Sequence, residues 1–183
     1  MSTAIDRLYQ EHKQLVEFLE KENQLSLIVT VDESFRKSLT LAAASYFEVR
    51  TRVYVVAYIE EVTQNNVRVV SFAKAKGVER QYHTYFDWKR RKAEPFFALF
   101  GSDFKTFIVS AIRNDAQLSE SIDAFLELGE LRNMLAHQDY AVFTMEKSVD
   151  DIYALYKKGL NFIEVMPAKL REWPTPPSGK EPA

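Results

Sequence analysis

The chain has 183 residues, of which 46% are hydrophobic and 13% are aromatic. This composition is typical of a folded globular protein, and the length is sufficient for one domain with a substantial core. The net charge of −2 and the pI of about 6.0 exclude the broad basic surface of an avid, nonspecific duplex-binding protein. The absence of cysteine excludes a disulfide framework, a thiolate metal site and a cysteine nucleophile.

The chain contains three histidines, His12, His83 and His137, which lack a paired metal-ligand spacing such as His-x-x-x-His. We therefore expect no zinc site, and the lack of a glycine-rich phosphate loop argues against ATP binding, so no cofactor is predicted. The first residues lack the basic-then-apolar run of a signal peptide. The cytoplasm is the expected location.

The N-terminal residues predict an amphipathic helix over residues 3–22. Its apolar residues recur at three- and four-residue spacings, and Ser2 or Thr3 is suited to cap its N-terminus. His12 lies at the edge of the apolar stripe, and we interpret it as a packing residue.

The next segment predicts the central helix of the protein. Residues 24–31 are apolar but too isolated to build a sheet, so they form either a loop or an extension of a helix. Asp32 is a suitable N-cap for a long helix over residues 33–63. Charged side chains interrupt the apolar run of this helix, which argues against a membrane span.

Glu48 stands out in the central helix, since a carboxylate between Tyr46, Phe47 and Val49 on a core helix needs a partner. Arg52 is one candidate, because it follows four residues later on the same helix face. On this interpretation Glu48 forms a simple structural ion pair.

A short helix is predicted over residues 67–76, with Gly77 as its left-handed C-cap. The segment from residue 80 to residue 92 then places five aromatic or imidazole side chains beside the basic run Lys89-Arg90-Arg91-Lys92. Aromatic residues next to cations are what single-stranded RNA sites use for stacking and phosphate neutralisation. Alternatively, the aromatic residues belong to the core and the basic run is a solvated helix face. We name Lys89, Arg90 and Arg91 as candidate substrate contacts.

Four more helices complete the predicted layout. Pro95 opens a short helix that ends at Gly101, and a second helix covers residues 104–113. A longer amphipathic helix follows over residues 118–137. A capping box at Ser148 and Asp151 starts the last helix, which is predicted to end near residue 165.

Arg132, Asn133 and His137 lie at the end of the 118–137 helix. Asn133 and His137 are four residues apart and share one face, whereas Arg132 is about 140° round from His137, a gap that its long side chain can close. Just beyond the helix, Asp139 or Tyr140 either lies near a bound phosphate or caps the turn.

This trio suits cleavage of a phosphodiester without a metal ion. Histidine can take a proton from a ribose 2′-OH or give one to the leaving 5′-oxygen, and a guanidinium can hold the non-bridging oxygens as charge develops on them. Asn133 can orient the imidazole or the phosphate. Alternatively, Arg132 and His137 stabilise the helix C-terminus through its macrodipole, by ~0.3–1 kcal/mol each.

The pattern of Arg, Asn, three variable residues and His near the end of a late helix resembles the motif of the HEPN superfamily of ribonucleases and toxins. In particular, the chain is similar to the HEPN-like nucleases grouped with RiboL-PSP and related bacterial defence and toxin systems. The match is complete at Arg132, Asn133 and His137, and the helical layout agrees over roughly residues 30–166. The resemblance implies an all-α, HEPN-type helical bundle with additional short helices.

The resemblance also implies a function. It implies a homodimer in which two motif helices form one composite cleft, and a metal-independent endoribonuclease that leaves a 2′,3′-cyclic phosphate or 3′-phosphate and a 5′-hydroxyl. In this mechanism His137 is the general base or acid, Arg132 holds the phosphate and Asn133 orients. Glu48 matches the acidic residue that HEPN-like proteins place on an earlier helix, and would buttress the site. RNA is then the substrate, Tyr140 is a further candidate contact, and an antitoxin or a larger defence complex is the expected partner.

Two other functions stay open on the sequence. One is a HEPN-like partner subunit or noncatalytic RNA-binding protein, and the other is a small regulatory bundle with no role in nucleic acid, which fits the acidic pI equally well. For domain organisation, we predict one HEPN-like domain over residues 1–170 and a flexible Pro-rich tail over residues 171–183.

Overall fold

Helices make up most of residues 2–172, the part of the chain that the computed structural model describes. Over this range the only pairing of the strand type is an isolated bridge between Asp87 and Lys92. The predicted all-α class is confirmed. The helices are α1 (Ala4–Lys21), α2 (Leu25–Val62), α3 (Val67–Ala73), α4 (Tyr82–Tyr85), α5 (Glu94–Ala98), α6 (Ser102–Arg113), α7 (Ala116–His137) and α8 (Val149–Glu172), with a π-helical turn at Lys74–Val78 after α3.

The first helix begins with the cap that its sequence predicts. Thr3 Oγ1 accepts a hydrogen bond from the backbone N–H of Asp6, and the Asp6 carboxylate accepts one from the backbone N–H of Thr3. The buried His12 ring stacks on Phe35 with 4.0 Å between ring centroids, and its Nε2 lies 3.0 Å from the Asp32 carboxylate. His12 is therefore a packing residue, as predicted.

The predicted N-cap at Asp32 is wrong, because α2 runs without interruption from Leu25 to Val62. The Asp32 carboxylate instead accepts hydrogen bonds from Arg36 and faces His12, so a side-chain network uses the group that the local pattern assigned to a helix end. The preceding apolar stretch is thus an extension of the helix.

The predicted left-handed cap at Gly77 is also wrong. The chain passes from α3 directly into the π-helical turn, and Gly77 lies inside that turn. The residue with positive φ is Arg80, at 61°. The π-helical turn widens the helix locally by one extra residue. The helical path therefore continues past Gly77, and the residue in the left-handed conformation is Arg80.

The last helix extends past its predicted end near residue 165. Its N-terminus has the predicted capping box, in which Ser148 and Asp151 exchange backbone-to-side-chain hydrogen bonds. Pro167 lies inside the helix, where Met166 and Leu170 are buried on either side of it. Arg171 and Glu172, which the sequence places in the tail, are thus helical, and residues 173–183 of the predicted tail lie outside the described residues.

The core lies where α2, α7 and α8 meet, and α1 packs on α2 at its edge. Gly159 of α8 is placed at this junction, since a Cβ there would lie 3.0 Å from the Phe47 ring and 3.1 Å from the Phe125 backbone. The lack of a side chain lets α8 approach both neighbouring helices closely. This packing holds Glu48 on α2 and the Arg132–His137 region on α7 in one fixed relation. None of the described helices is both long and apolar enough to cross a membrane.

Candidate active site

An open groove of about 900 Å³ runs beside the C-terminal part of α7. Asn133 and His137 both line it, as their four-residue spacing predicts. The segment that follows α4 contributes Trp88 and Lys89, so the groove combines an imidazole, an amide, an aromatic ring and a cation. This composition suits a ligand with both apolar faces and negative charge.

His137 is the last residue of α7 and is exposed. The helix ends there because Gln138 adopts an extended conformation while its N–H still bonds to the carbonyl of Met134. Within residues 2–172, the His137 imidazole has no hydrogen-bond or ion-pair partner. Both ring nitrogens are therefore free to meet a ligand in the groove.

Arg132 does not line this groove and instead contacts Asn133 and Glu48. Its Nη1 donates a hydrogen bond to Asn133 Oδ1 at 3.0 Å, and its Nη2 lies 4.0 Å from Glu48 Oε2. These three residues line a smaller pocket, and Asn133 belongs to both this pocket and the larger groove. Asn133 thus links the guanidinium to the face that carries His137.

Glu48 faces Arg52, its predicted neighbour on the same helix, and also Arg132 of the motif, near which the family resemblance places it. Its second carboxylate oxygen lies 4.0 Å from Arg52 Nη1, the same separation as to Arg132. Both contacts are long for an ion pair and the side chains are partly exposed, so each is weak. An anionic ligand can therefore compete with Glu48 for the Arg132 guanidinium.

Tyr82 lines the same small pocket and was not singled out as a site residue from the sequence. Burial raises the pKa of the Tyr82 hydroxyl well above its ordinary value, and the negative charge of Glu48 raises it further. The hydroxyl therefore stays protonated, so it can donate a hydrogen bond but does not serve as a base.

Trp88 reaches the site because residue 129 is glycine. Gly129 is one helical turn before Asn133, and a Cβ at that position would overlap the Trp88 ring. The indole Nε1 donates a hydrogen bond of 3.0 Å to the His83 carbonyl, which fixes the ring in place. Gly129 is not among the site residues predicted from the sequence, where its signal is a lone glycine inside an otherwise strong helix.

The structure brings only part of the predicted basic contacts to the groove. Lys89 lines it and is exposed, whereas Arg90 is exposed beside Asp87 at 3.8 Å. Arg91 points to two acidic residues of α7, with its Nε 2.6 Å from Glu130 and its Nη1 3.7 Å from Glu127. The charge of Arg91 is thus already paired.

Tyr140 lies beyond the end of α7 and does not line the groove. Its carbonyl accepts a hydrogen bond of 2.8 Å from the buried Lys37, whose ammonium group also lies 5.1 Å from the centre of the Tyr140 ring. This contact between α2 and the turn after α7 fixes the backbone that follows His137.

Among residues 2–172, no cluster of three or more histidine or acidic side chains is suited to hold a metal ion.

Similarity to known proteins identifies the family of the chain. A model of the RiboL-PSP-HEPN family matches residues 6–171. Neither the curated proteins nor the solved structures contain a match to the chain. The family match extends from α1 through α8 and includes every residue of the motif, so the predicted resemblance is confirmed and the chain belongs to the RiboL-PSP-HEPN family.

Proposed function

We propose that the protein is a metal-independent endoribonuclease. The observation that carries this proposal is the imidazole of His137, which has no polar partner within residues 2–172 and lines an open groove with Asn133, the residue that accepts a hydrogen bond from Arg132. A histidine that only stabilised a helix end would not need a groove beside it. Family membership supports the same assignment.

In the proposed reaction, the ribose 2′-oxygen attacks the adjacent phosphorus and the bond to the 5′-oxygen of the next nucleotide breaks. His137 takes the proton from the 2′-OH or gives one to the leaving 5′-oxygen, and water in the open groove handles the other transfer. The products are a 2′,3′-cyclic phosphate and a 5′-hydroxyl. DNA is not a substrate, because it lacks the nucleophile.

Arg132 and its neighbours stabilise the negative charge that develops on the phosphate. The phosphate replaces Glu48 as the main partner of the guanidinium, which then binds the non-bridging oxygens. Asn133 lines the groove and holds Arg132 beside it through its hydrogen bond, and Glu48 faces both Arg132 and Arg52. Lys89 at the groove edge contributes a further positive charge.

The protein acts as a homodimer in the cytoplasm, as a toxin or the effector of a defence system, with an antitoxin or larger complex as its partner. Support for the dimer comes from α2, where the apolar side chains of Leu41, Val49 and Val53 are exposed at multiples of four residues. This stripe is next to Glu48 in sequence. Two copies that pack through it would bring their two sites near one interface.

The direct test is to incubate purified protein with single-stranded RNA in EDTA and to analyse the termini of the products. We expect cleavage by the wild type, no cleavage by His137→Ala, and cleavage by the matched variant Gln138→Ala, which changes the next groove residue. Intact activity in His137→Ala would contradict the proposal.

A HEPN-like subunit that binds RNA or a partner without cleaving is the second candidate. It is favoured by the internal contacts of Arg132, which is already held by Asn133 and Glu48 in the absence of a ligand. Tight RNA binding without cleavage, unchanged by His137→Ala, would select this function. Failure to bind any RNA at low salt would exclude the ribonuclease and the RNA-binding form of the second candidate.

A further inference from the structure

The positive charge of the chain is concentrated in one stretch, residues 67–92, which we call the basic segment. It carries a net charge of +6, whereas the whole chain carries −2, so the remaining residues carry −8. Its only acidic residues are Glu79 and Asp87. Its cations are Arg68, Lys74, Lys76, Arg80, Lys89, Arg90, Arg91 and Lys92.

The first four of these cations are free of acidic partners. Arg68, Lys74, Lys76 and Arg80 are all exposed, and none forms an ion pair with another residue in the described range. Arg91, by contrast, is neutralised by two glutamates of α7. A cluster of solvated, unpaired cations in an otherwise acidic protein is complementary to a polyanion.

This part of the basic segment is fixed to the groove wall. The Tyr85 hydroxyl donates a hydrogen bond of 2.6 Å to the Gly77 carbonyl, which anchors the π-helical turn. Thr84 and Phe86, on either side of Tyr85, both line the groove that contains His137. The π-helical turn that carries Lys74 and Lys76 is therefore joined directly to a segment of the groove wall.

An exposed aromatic ring accompanies the cations. Phe72 is 68% exposed, and no residue of α3 is buried. Phe72 and Arg68 are four residues apart on α3 and share one helix face. A solvated aromatic ring beside a guanidinium offers a stacking platform for an unpaired base, which a duplex does not present.

We propose that α3, the π-helical turn and Arg80 form a docking surface for the phosphate backbone of single-stranded nucleic acid, which leads the strand into the His137 groove. The delivery of a scissile bond rests on the proposed ribonuclease function, whereas the binding step does not. The surface contacts phosphates and base faces, so it takes single-stranded DNA as well as RNA. Specificity for RNA then comes only from the reaction at the 2′-OH.

Binding of a fluorescently labelled 20-nucleotide DNA strand, measured by anisotropy, tests this surface without any cleavage. The test variant replaces Arg68, Lys74, Lys76 and Arg80 with Gln. The matched control replaces four exposed cations on α1 and on α6 and α8 with Gln, namely Arg7, Lys21, Lys105 and Lys158, which gives the same change in net charge. Circular dichroism and thermal melts confirm that both variants fold.

We expect the test variant to bind the strand about tenfold or more weakly, and its plot of log affinity against log salt to be less steep by up to ~2.8, or ~0.7 for each lost phosphate contact. The control should bind within about twofold of the wild type. Phe72→Ala, made alone, should also weaken binding, because it removes stacking. It should leave the slope of log affinity against log salt unchanged, because it removes no charge.

Equal losses in the test and control variants would overturn the proposal, since only net charge would then matter. Unchanged binding in the test variant would also overturn it and would favour an acidic protein as the partner of the basic segment. If the test variant loses DNA binding while the wild type cleaves no RNA, the docking surface stands and the ribonuclease proposal fails. If the test variant binds DNA as well as the wild type does and the wild type cleaves RNA, the docking surface fails and the ribonuclease proposal stands.

Discussion

The polar contacts that join α1 to α8 and those around Arg132 are built in opposite ways. Between α1 and α8, the Tyr153 hydroxyl donates to Asp6 and the Tyr156 hydroxyl donates to Thr3, both at 2.8 Å. The rings of Tyr9 and Tyr153 stack over the same contact, with 3.8 Å between their centroids. Every one of these polar groups has a short, direct partner.

Around Arg132 the contacts are less complete, because Arg132 has a hydrogen bond of 3.0 Å to Asn133 but only a distant carboxylate partner in Glu48. Glu48 is 4.0 Å from the two arginines that face it, and His137 has no partner in residues 2–172. The buried Nε of Arg52 also lacks a hydrogen-bond partner in this range. Unsatisfied polar groups lower stability. The α1–α8 contacts therefore stabilise the fold, whereas the incompletely paired groups around Arg132 remain available to bind a ligand.

The largest expected effect is that of His137→Ala on RNA cleavage. Loss of a general acid–base group lowers the rate by about 10²–10⁴-fold. Because His137 is exposed and has no polar partner in the described part of the chain, the melting temperature should stay within about 1 °C of the wild type. A gel assay measures the cleavage rate, and circular dichroism measures the melting temperature. A large fall in stability would show that His137 belongs with the structural contacts.

Arg132→Lys should come next, with a fall in cleavage rate of roughly 10²-fold. Lysine keeps the charge but loses the planar fork that binds two phosphate oxygens at once. Single-turnover cleavage measures this effect. Arg52→Lys is the matched control, since Arg52 faces Glu48 at the same distance and does not line the pocket. Equal effects of the two changes would contradict the separate role of Arg132.

Gly129→Ala is expected to reduce the free energy of unfolding by ~1–3 kcal/mol, because the new methyl group overlaps the Trp88 ring. Urea denaturation measures the loss. In a Trp88→Leu background the overlap is removed, and the same change should be neutral or stabilising, since alanine favours a helix by ~1 kcal/mol over glycine. An equal loss in both backgrounds would mean that Trp88 does not rest on Gly129.

Asp6→Asn tests the contacts between α1 and α8. Burial alone would raise the pKa of Asp6, but hydrogen bonds from the Thr3 backbone, Tyr153 and Lys157 lower it from 3.8 to about 2. Because the pKa of Asp6 is lower in the folded protein, its ionised carboxylate stabilises the fold at pH values above 3.8. This stabilisation is lost as the pH falls from about 3.8 through about 2. We expect Asp6→Asn to lower the free energy of unfolding by ~2 kcal/mol at pH 7.

Urea unfolding at pH 7, pH 4 and pH 2.5 follows this dependence. The difference between wild type and Asp6→Asn should shrink as the pH falls, while cleavage at pH 7 and a permissive temperature stays unchanged. A difference that is the same at all three pH values would show that the Asp6 charge does not stabilise the fold.

The sequence predicts features that depend on neighbouring residues better than features that depend on distant ones. Helical periodicity located the main helices, and the fixed four-residue spacing placed Asn133 and His137 on one face because both properties are local. Local signals failed where distant residues decide. The local pattern predicts an N-cap at Asp32, but the Asp32 carboxylate contacts His12 and Arg36 instead. It also predicts a C-cap at Gly77, but Gly77 lies in a π-helical turn and its carbonyl accepts a hydrogen bond from Tyr85.

The same limit applies inside the candidate site. The basic run at Lys89, Arg90 and Arg91 reads as one feature in the sequence, yet only Lys89 lines the groove, because Glu127 and Glu130 draw Arg91 away. The contact of Trp88 with Gly129 joins residues 41 positions apart and has no local pattern. Such pairings depend on how the helices pack.

The most direct test of the central claim uses DNA strands that each contain one ribonucleotide, with each of the four bases in turn, incubated with wild-type protein in EDTA. If His137 and Arg132 promote attack by the 2′-oxygen, mass spectrometry will show cleavage only on the 3′ side of the ribonucleotide. The fragments will carry a 2′,3′-cyclic phosphate or 3′-phosphate and a 5′-hydroxyl, and a 2′-O-methyl substitution will abolish them. Cleavage at deoxyribonucleotides, or cleavage that survives 2′-O-methylation, would contradict the account.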